Sequence, residues 1–228
     1  MVRFTCAGWH LGDNAEWCKH TNFDMALRIP MMLYVPGVTS VGHNFRFIDA
    51  LAPGFDRDAQ PQNVGPSHST DELVEAVDLF PTLAELSGLP VPSTCPDNSL
   101  HVDVCTEGTS LVPLVKKVRG LSQGDSFQWK DAAFSVYHRK WDGSSPVLGY
   151  TVRTKTHRYT EWVHYDRVHF RPDFSHVLAR ELYQHSNDPF EFNNLAEVTS
   201  YSGKVSELSQ LVRSGWRKTL QSYLSSVH

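Results

Sequence analysis

The sequence predicts a mixed α/β fold in two layers or subdomains, and three observations carry that expectation. A near-continuous apolar run over residues 23–37, bracketed by prolines, has the text of a strand buried on both faces. Residues 150–154 and 158–163 alternate and are rich in β-branched and aromatic side chains, as antiparallel strands joined at Lys155, Thr156 and His157 would be. The tail spaces Val205, Leu208, Leu211, Val212, Trp216, Leu220 and Leu224 three and four residues apart, which places them on one face of a closing helix.

Taken in order, the elements between these anchors are less uniform. Residues 38–69 carry Pro53-Gly54 and Gly65-Pro66 with little periodicity and read as a long excursion. Ser69 and Glu72 have capping-box spacing, but Leu73 to Val77 suits a strand as well as a helical turn. Residues 78–88 read as a helix: Asp78 caps it, Pro81 fits its first turn and Gly88 ends it, with Leu79, Leu83 and Leu86 facing a core. The polar, Gly- and Ser-bearing stretch 119–145 marks a boundary, so residues 1–118 and 119–228 form the two expected units. Residues 181–183 supply a third strand, closed by the turn-rich text His185-Ser186-Asn187-Asp188-Pro189.

Bulk properties narrow the function classes. The chain of 228 residues is 40% hydrophobic, 11% aromatic and 20% charged, with a net charge of -4, and so offers no dominant basic field for nucleic acid or an acidic membrane. Its 12 histidines make that charge sensitive to pH between about 5 and 8, where an unperturbed imidazole titrates. The longest apolar run, residues 29–36, is far short of the roughly 18 residues that span a bilayer. Residues 1–7 have no apolar core of signal-peptide length, and the sequence contains no Asn-x-Ser/Thr sequon. None of Cys6, Cys18, Cys95 and Cys105 forms a C-x-x-C pair, which argues against thiolate metal chelation. Cys95 and Cys105 flank a loop-like segment that suits a local disulfide; two separate small thiols are the alternative.

Chemistry-bearing residues are densest over residues 8–19, Gly-Trp-His-Leu-Gly-Asp-Asn-Ala-Glu-Trp-Cys-Lys. Two tryptophans, a histidine, two carboxylates and a lysine are the material of a polar pocket with aromatic walls, in which Lys19 suits an anionic ligand and the indoles suit a sugar ring. A glycine-bent loop whose tryptophans anchor it to the core is the competing reading.

The residues that decide between them are the ordered blocks Trp9-His10-Leu11-Gly12 through Lys19, Asn22-Phe23-Asp24, Val35-Pro36-Gly37, residues 77–83 with Gly88, and Glu181-Leu182-Tyr183 with Asp188-Pro189, Glu191 and Asn194-Leu195-Ala196. Together they resemble the signature blocks of the sulfatase family. Gly8-Trp9-His10-Leu11-Gly12, the Cys95/Cys105 loop and residues 149–154 with 158–163 are most similar to its iduronate-2-sulfatase branch. The resemblance implies the C-terminal part of an alkaline-phosphatase/sulfatase-like α/β fold: the end of the main mixed sheet, then a small antiparallel-sheet subdomain with a C-terminal helix. It also implies a lysosomal hydrolase that removes 2-O-sulfate from iduronate in dermatan sulfate and heparan sulfate. In that family a formylglycine made from the cysteine of a C-x-P-S-R motif is the nucleophile and calcium polarises the sulfate.

By resemblance, Lys19 is the sulfate contact, and Trp9 and His10 line the substrate pocket. His20 stands where the family member compared has a tyrosine. Two departures set the expectation for this chain. No cysteine here begins C-x-P-S-R, and Cys6-Ala7 stand where an Asp-His pair serves the metal in the family. Cys6 is too soft a ligand for calcium and Ala7 has no donor. The expectation is therefore a fragment inactive by itself, without the N-terminal catalytic half and without a metal of its own, in which residues 1–7 are not native family sequence. Its expected partners are a sulfated glycosaminoglycan and that missing half, with neither nucleic acid nor membrane. The alternatives are a noncatalytic module holding sulfated glycans through Lys19, Trp9, Arg153, Lys155 and Arg158, and a pseudoenzyme paired with another sulfatase chain.

Overall fold

The computed structural model describes residues 2–4, 7–35, 38–39, 68–99, 101–121, 128–140 and 146–217. In chain order these form β1 (Val2–Phe4), β2 (His10–Leu11), β3 (Trp17–Cys18), α1 (Asp24–Leu27), β4 (Met31–Leu33), α2 (Leu79–Leu86), α3 (Val112–Val118), β5 (Ala132–Lys140), β6 (Pro146–Thr154), β7 (His157–Asp166), β8 (Arg171–Gln184) and α4 (Ser202–Ser214). The dominant body is the antiparallel sheet β5-β6-β7-β8, a mixed α/β arrangement with α4 packed on it.

The two faces of that sheet differ in chemistry, because side chains alternate along each strand. One face carries Ala132, Val152, Tyr159 and Leu182, which pack with Leu208 and Val212 of α4 into an apolar core. Glu161 lies on the same face with no exposure, accepting hydrogen bonds from the Tyr159 hydroxyl (2.8 Å) and from Arg213 Nε of α4 (3.2 Å). The opposite face presents Arg158, Thr160 and Trp162 from β7, and it is covered by segment 8–27 rather than by a helix layer. Gly149 marks the closest approach: a Cβ there would sit 2.8 Å from both the Asn22 amide and the Trp162 ring.

A second cluster joins Leu79 of α2, Leu111 and Leu114 of α3, and Trp129, with Val2 and Met31 of the β1–β4 pair against it. It is tied to the large sheet through polar contacts. Lys130, 5% exposed, lies 2.8 Å from Glu75 and 2.5 Å from Asp78, while the Phe134 amide of β5 donates to Glu75 (2.7 Å). Cys95 and Cys105 are joined by a disulfide. The loop they close and the residues just after it are held to the region after α4 by Arg217, paired with Asp97 in the loop and Glu107 beyond it, and by Trp216, which donates to Glu107 (2.8 Å).

Several expectations change. The run 23–37 does not form one buried strand: its start is the single-turn α1, and β4 is three residues long, antiparallel to β1, with Met32 59% exposed. Arg28 and Pro30 end the turn before the strand begins, so the run is divided by its own breakers. In α2 only Leu79 of the three leucines is buried. Leu83 and Leu86 face outward because Thr82 and Ala84 take the inner positions, Thr82 accepting the Leu111 amide (2.8 Å). Asp78 makes no side-chain cap to α2; its carboxylate instead serves Lys130 and the amides of Glu75 (2.7 Å) and Thr109 (2.9 Å). The stretch 119–145 contains β5, the edge strand of the main sheet, and α3 stands where no helix was expected. Cys6, Pro36, Gly37, Leu220, Leu224 and most of the excursion 38–69 lie outside the described residues.

Candidate functional site

Segment 8–28 is a folded strap lying on the polar face of the sheet. At its start the Gly8 amide donates to Ala26 O (2.9 Å), and a Cβ on Gly8 would fall 1.7 Å from Met25 O, so the two passes of chain approach closely only with glycine there. Between them β2 and β3 make a two-rung ladder around a 3-10 turn, Asp13–Ala15. Asn14, Ala15 and Cys18 all have positive φ, at 54°, 57° and 70°. Such conformations cost of order 1 kcal/mol or more each and persist where the surroundings fix them.

The surroundings here are the sheet and the loop after β8. Asn14 Nδ2 donates to the carbonyls of Phe190 (3.0 Å) and Glu191 (2.9 Å), holding the tip of the turn. Glu16 pairs with Arg139 of β5 (2.7 Å), whose guanidinium lies 5.6 Å over the Trp162 ring. Asn22, 1% exposed, donates to Gly149 O (2.9 Å). The His20 ring meets Tyr137 of β5 at 6.5 Å.

An ionic layer completes the attachment. Asp24 pairs with Arg153 Nε (3.0 Å), and its amide donates to Glu191 Oε2 (2.9 Å). Glu191, 2% exposed, also accepts from Arg158 Nε (2.8 Å) and contacts His185 Nε2 (2.6 Å). Arg158 has no exposure, reaches Glu181 (3.0 Å), and is stacked between the rings of Phe23 (5.0 Å) and Tyr183 (4.8 Å). Burial opposes ionisation of Glu191, but His185, Arg158 and the Asp24 amide outweigh it and hold the carboxyl below its ordinary range. Burial likewise opposes the charge on Arg158, and Glu191 with Glu181 more than offsets it.

The residues singled out in the sequence take distinct places on this strap. Trp9 is 56% exposed, beside Leu11 at 69% and Trp17 at 67%, so the aromatic wall is on the surface. His10 is fully buried, edge-on to Phe23 with ring centroids 6.0 Å apart. Its Nδ1 lies 3.1 Å from Asp13 O; because a carbonyl can only accept, Nδ1 carries the proton and donates. Nε2 is then left as a buried atom with no partner among the described residues. Lys19 is half-buried, on the residue following β3. Ala7 is half-buried and Cys6 lies outside the described residues.

The basic trio named for a glycan-holding module is already paired with carboxylates. Arg153 and Arg158 are consumed by Asp24, Glu181 and Glu191, and Lys155 pairs with Glu72 (2.8 Å). Arg139 and His185, which fix the strap, carried no signal in the sequence: Arg139 meets Glu16 across 123 residues, and His185, held at 2.6 Å by nearby Glu191, lies 3.9 Å from Asp24 of the strap.

A calcium ion does not fit the donors described. Ala7 offers none. Among the described residues, one group, Asp24, His185 and Glu191, gathers ligand atoms within 4.8 Å of one another. Calcium takes six to eight oxygen ligands, whereas this group includes an imidazole and both of its carboxylates are already neutralised by Arg153 and Arg158.

No family model matches the chain. Iduronate 2-sulfatase of Mus musculus is 38% identical over 227 residues, covering 91% of this chain and 40% of that protein. The Homo sapiens iduronate 2-sulfatase is 36% identical, covering 86% of this chain and 38% of the relative. An N-acetylglucosamine-6-O-sulfatase of Bacteroides thetaiotaomicron is 24% identical over 90% of the chain and 28% of its own length. Among solved structures, a Bacteroides thetaiotaomicron protein assigned as a sulfatase matches with a TM-score of 0.55 at 21% identity, over 98% of this chain and 37% of that one. A second, solved in complex with its substrate D-glucosamine-2-N,6-O-disulfate, matches at 0.56 and 19% identity over 96% and 34%. Both show the fold. The chain is thus related to the iduronate 2-sulfatases of the sulfatase family, spans about two fifths of the length of those curated relatives, and is consistent with a C-terminal portion of such a protein.

Proposed function

We propose that this chain is the C-terminal part of a sulfuric ester hydrolase similar to iduronate-2-sulfatase, acting on the 2-O-sulfate of iduronate in dermatan sulfate and heparan sulfate, and that it is inactive by itself. Its contribution is substrate binding. Lys19 meets the sulfate as a point charge, and the exposed face of Trp9 packs against the sugar. His10, being buried, shapes the strap beneath them and presents Nε2 as an acceptor. The observation that most supports this reading is the attachment of the strap: a segment with three left-handed residues is fixed by Asn14 to Glu191, Glu16 to Arg139, Asn22 to Gly149 and Asp24 to Arg153. Groups held in advance lose less freedom on meeting a ligand.

Inactivity follows from chemistry the sequence does not contain. None of its four cysteines begins C-x-P-S-R, and Ala7 stands where the family resemblance calls for a metal-serving side chain. The nucleophile, the calcium ion, the lysosomal setting and residues 1–118 as part of a catalytic unit belong to this proposal. The test is binding and turnover of a 2-O-sulfated iduronate disaccharide by the chain, with calcium supplied. Saturable binding without sulfate release is expected, weakened about tenfold by Lys19→Ala through loss of a charged contact. Sulfate release by the chain alone, or undiminished binding by Lys19→Ala, would overturn it.

A further inference from the structure

We infer that the β7–β8 hairpin carries a second anion-binding subsite, built on Arg167 and Arg171, which takes an acidic residue of a sulfated oligosaccharide beyond the one held at Lys19. An open cleft of about 810 Å³ lies at this end of the sheet, lined by Pro146, His164, Tyr165, Arg167, Arg171 and Pro172 among others. Both arginines line this cleft from the end of the hairpin. Asp166 pairs with Arg171 across β7 and β8, and Arg167 follows Asp166 directly. Neither guanidinium makes an ion pair or hydrogen bond among the described residues, whereas Arg139, Arg153, Arg158, Arg180, Arg213 and Arg217 all pair with carboxylates.

Two carboxylates also line the cleft, Asp166 and Asp173, and both are engaged by their own turns rather than by the arginines. Asp166 accepts from the amides of Val168 (2.8 Å) and His169 (3.1 Å) and contacts His169 Nδ1 at 2.5 Å. Asp173 accepts from the Ser175 amide (3.0 Å) and hydroxyl and lies 3.2 Å from His176 Nδ1. These contacts fix the hairpin's turns and engage both carboxylates away from the guanidinium forks, whose planar donors match sulfate and carboxylate oxygens. His164 Nδ1, buried and without a partner among the described residues, adds a polar atom at the base. Tyr165, Pro146 and Pro172 supply the flat apolar surfaces that suit a sugar ring.

Position ties the cleft to the strap. The β6–β7 ladder is regular from Gly149↔Trp162 to Val147↔His164, so His164 and Trp162 share a face, the one that segment 8–28 covers. The cleft therefore begins about 7 Å along the strand from the place where Asn22 meets Gly149. On this proposal a polymer of spaced anions runs from Lys19 toward the His164 end of β7, where this cleft begins. The inference rests on the proposed substrate class, and it adds a determinant of chain length to it.

The test is binding of a heparin-derived hexasaccharide to the full chain by titration calorimetry, with the de-sulfated hexasaccharide and the 2-O-sulfated iduronate disaccharide as comparisons. The double variant Arg167→Ala/Arg171→Ala is expected to lose about tenfold or more in hexasaccharide affinity, to bind the disaccharide as the parent does, and to melt at the parent temperature, since neither arginine has a partner among the described residues. Arg167→Lys/Arg171→Lys keeps the charge but not the forks and falls between. Hexasaccharide affinity unchanged in the alanine variant, or equal binding of the de-sulfated sugar, overturns the subsite. Should Lys19→Ala lose the disaccharide while the hairpin variant changes nothing, the subsite fails and the proposed function stands. The reverse pattern retains the subsite and removes the role given to Lys19.

Discussion

Glu191→Gln tests how the strap is held, because one carboxylate there serves three partners. It accepts from Arg158 Nε, the Asp24 amide and His185, and is 2% exposed. Glutamine has nearly the same shape but no charge, and it leaves Arg158, with no exposure of its own, facing Glu181, whose side chain is 20% exposed. Removing one partner from a buried ion pair costs about 3–5 kcal/mol. Since Glu181 remains and the glutamine oxygen still accepts from the Asp24 amide, the lower figure, about 3 kcal/mol, is expected. With a urea dependence of about 2 kcal/mol per molar, the unfolding midpoint falls by about 1.5 M. The pH dependence has a definite sign. The folded carboxyl lies below its usual 4.5, so its contribution is fully present above that pH and is lost as the pH falls through the folded value. Urea titrations at pH 7 and at stepped values below 4.5 measure both. A loss under about 1 kcal/mol at pH 7, or a difference between variant and parent that does not shrink in acid, would refute the account of the layer.

Two further outcomes follow from the same geometry. Gly8→Ala forces a methyl group into the Met25 carbonyl, where backbone cannot move aside as a flexible side chain would. It should cost about 1–3 kcal/mol and expose the Gly8–Ala26 hydrogen bond, so that amide exchange across 8–28 speeds up; protection equal to the parent would show that the two passes separate freely. In the hairpin, the Asp166 carboxyl is held down to about 2 by His169 and by the amides of His169 and Val168. Its NMR titration should show the group ionised throughout the range above pH 3, and an ordinary carboxylate midpoint would mean the turn is open in solution.

The large sheet was legible in the sequence because its two central strands, 150–154 and 158–163, obey a local rule: alternation with β-branched and aromatic content. The closing helix was legible in its first part, α4 burying Leu208 and Val212 as the spacing requires, but it ends at Ser214, and Gly215 puts Trp216, 41% exposed, beyond the face that the spacing assigned to it. β5 was missed: Phe134, Val136 and Tyr137 are strand formers, but they sit in a polar, Gly- and Ser-bearing stretch with His138, Arg139 and Lys140 behind them, and the strand is fixed by its register with β6, from Ala132↔Thr154 to Lys140↔Pro146. The run 23–37 failed in the opposite direction. Its apolar content is high, yet Pro30 and Pro36 leave only Met31–Leu33 able to join a ladder.

The strap was legible in residue types and illegible in position, and the reason lies in how its polar and apolar groups are arranged. Apolar residues usually lie inside and charged ones outside. Here Arg158, Glu191, His10 and Asn22 are buried, while Trp9, Leu11, Trp17, Phe190 and Phe192 are between 54% and 69% exposed. Arg158 reads in sequence as a surface cation on a strand, because alternation says which residues share a face and not what covers it. What covers it is Phe23, more than 130 residues earlier, and Glu191, which reaches it from a turn. Buried charge needs its partners in place to be stable, so the ionic layer sets the strap in one position. The exposed indoles follow: with the inner face of the strap occupied by its polar attachments, Trp9 and Trp17 have only the outer face left, where a ligand can reach them.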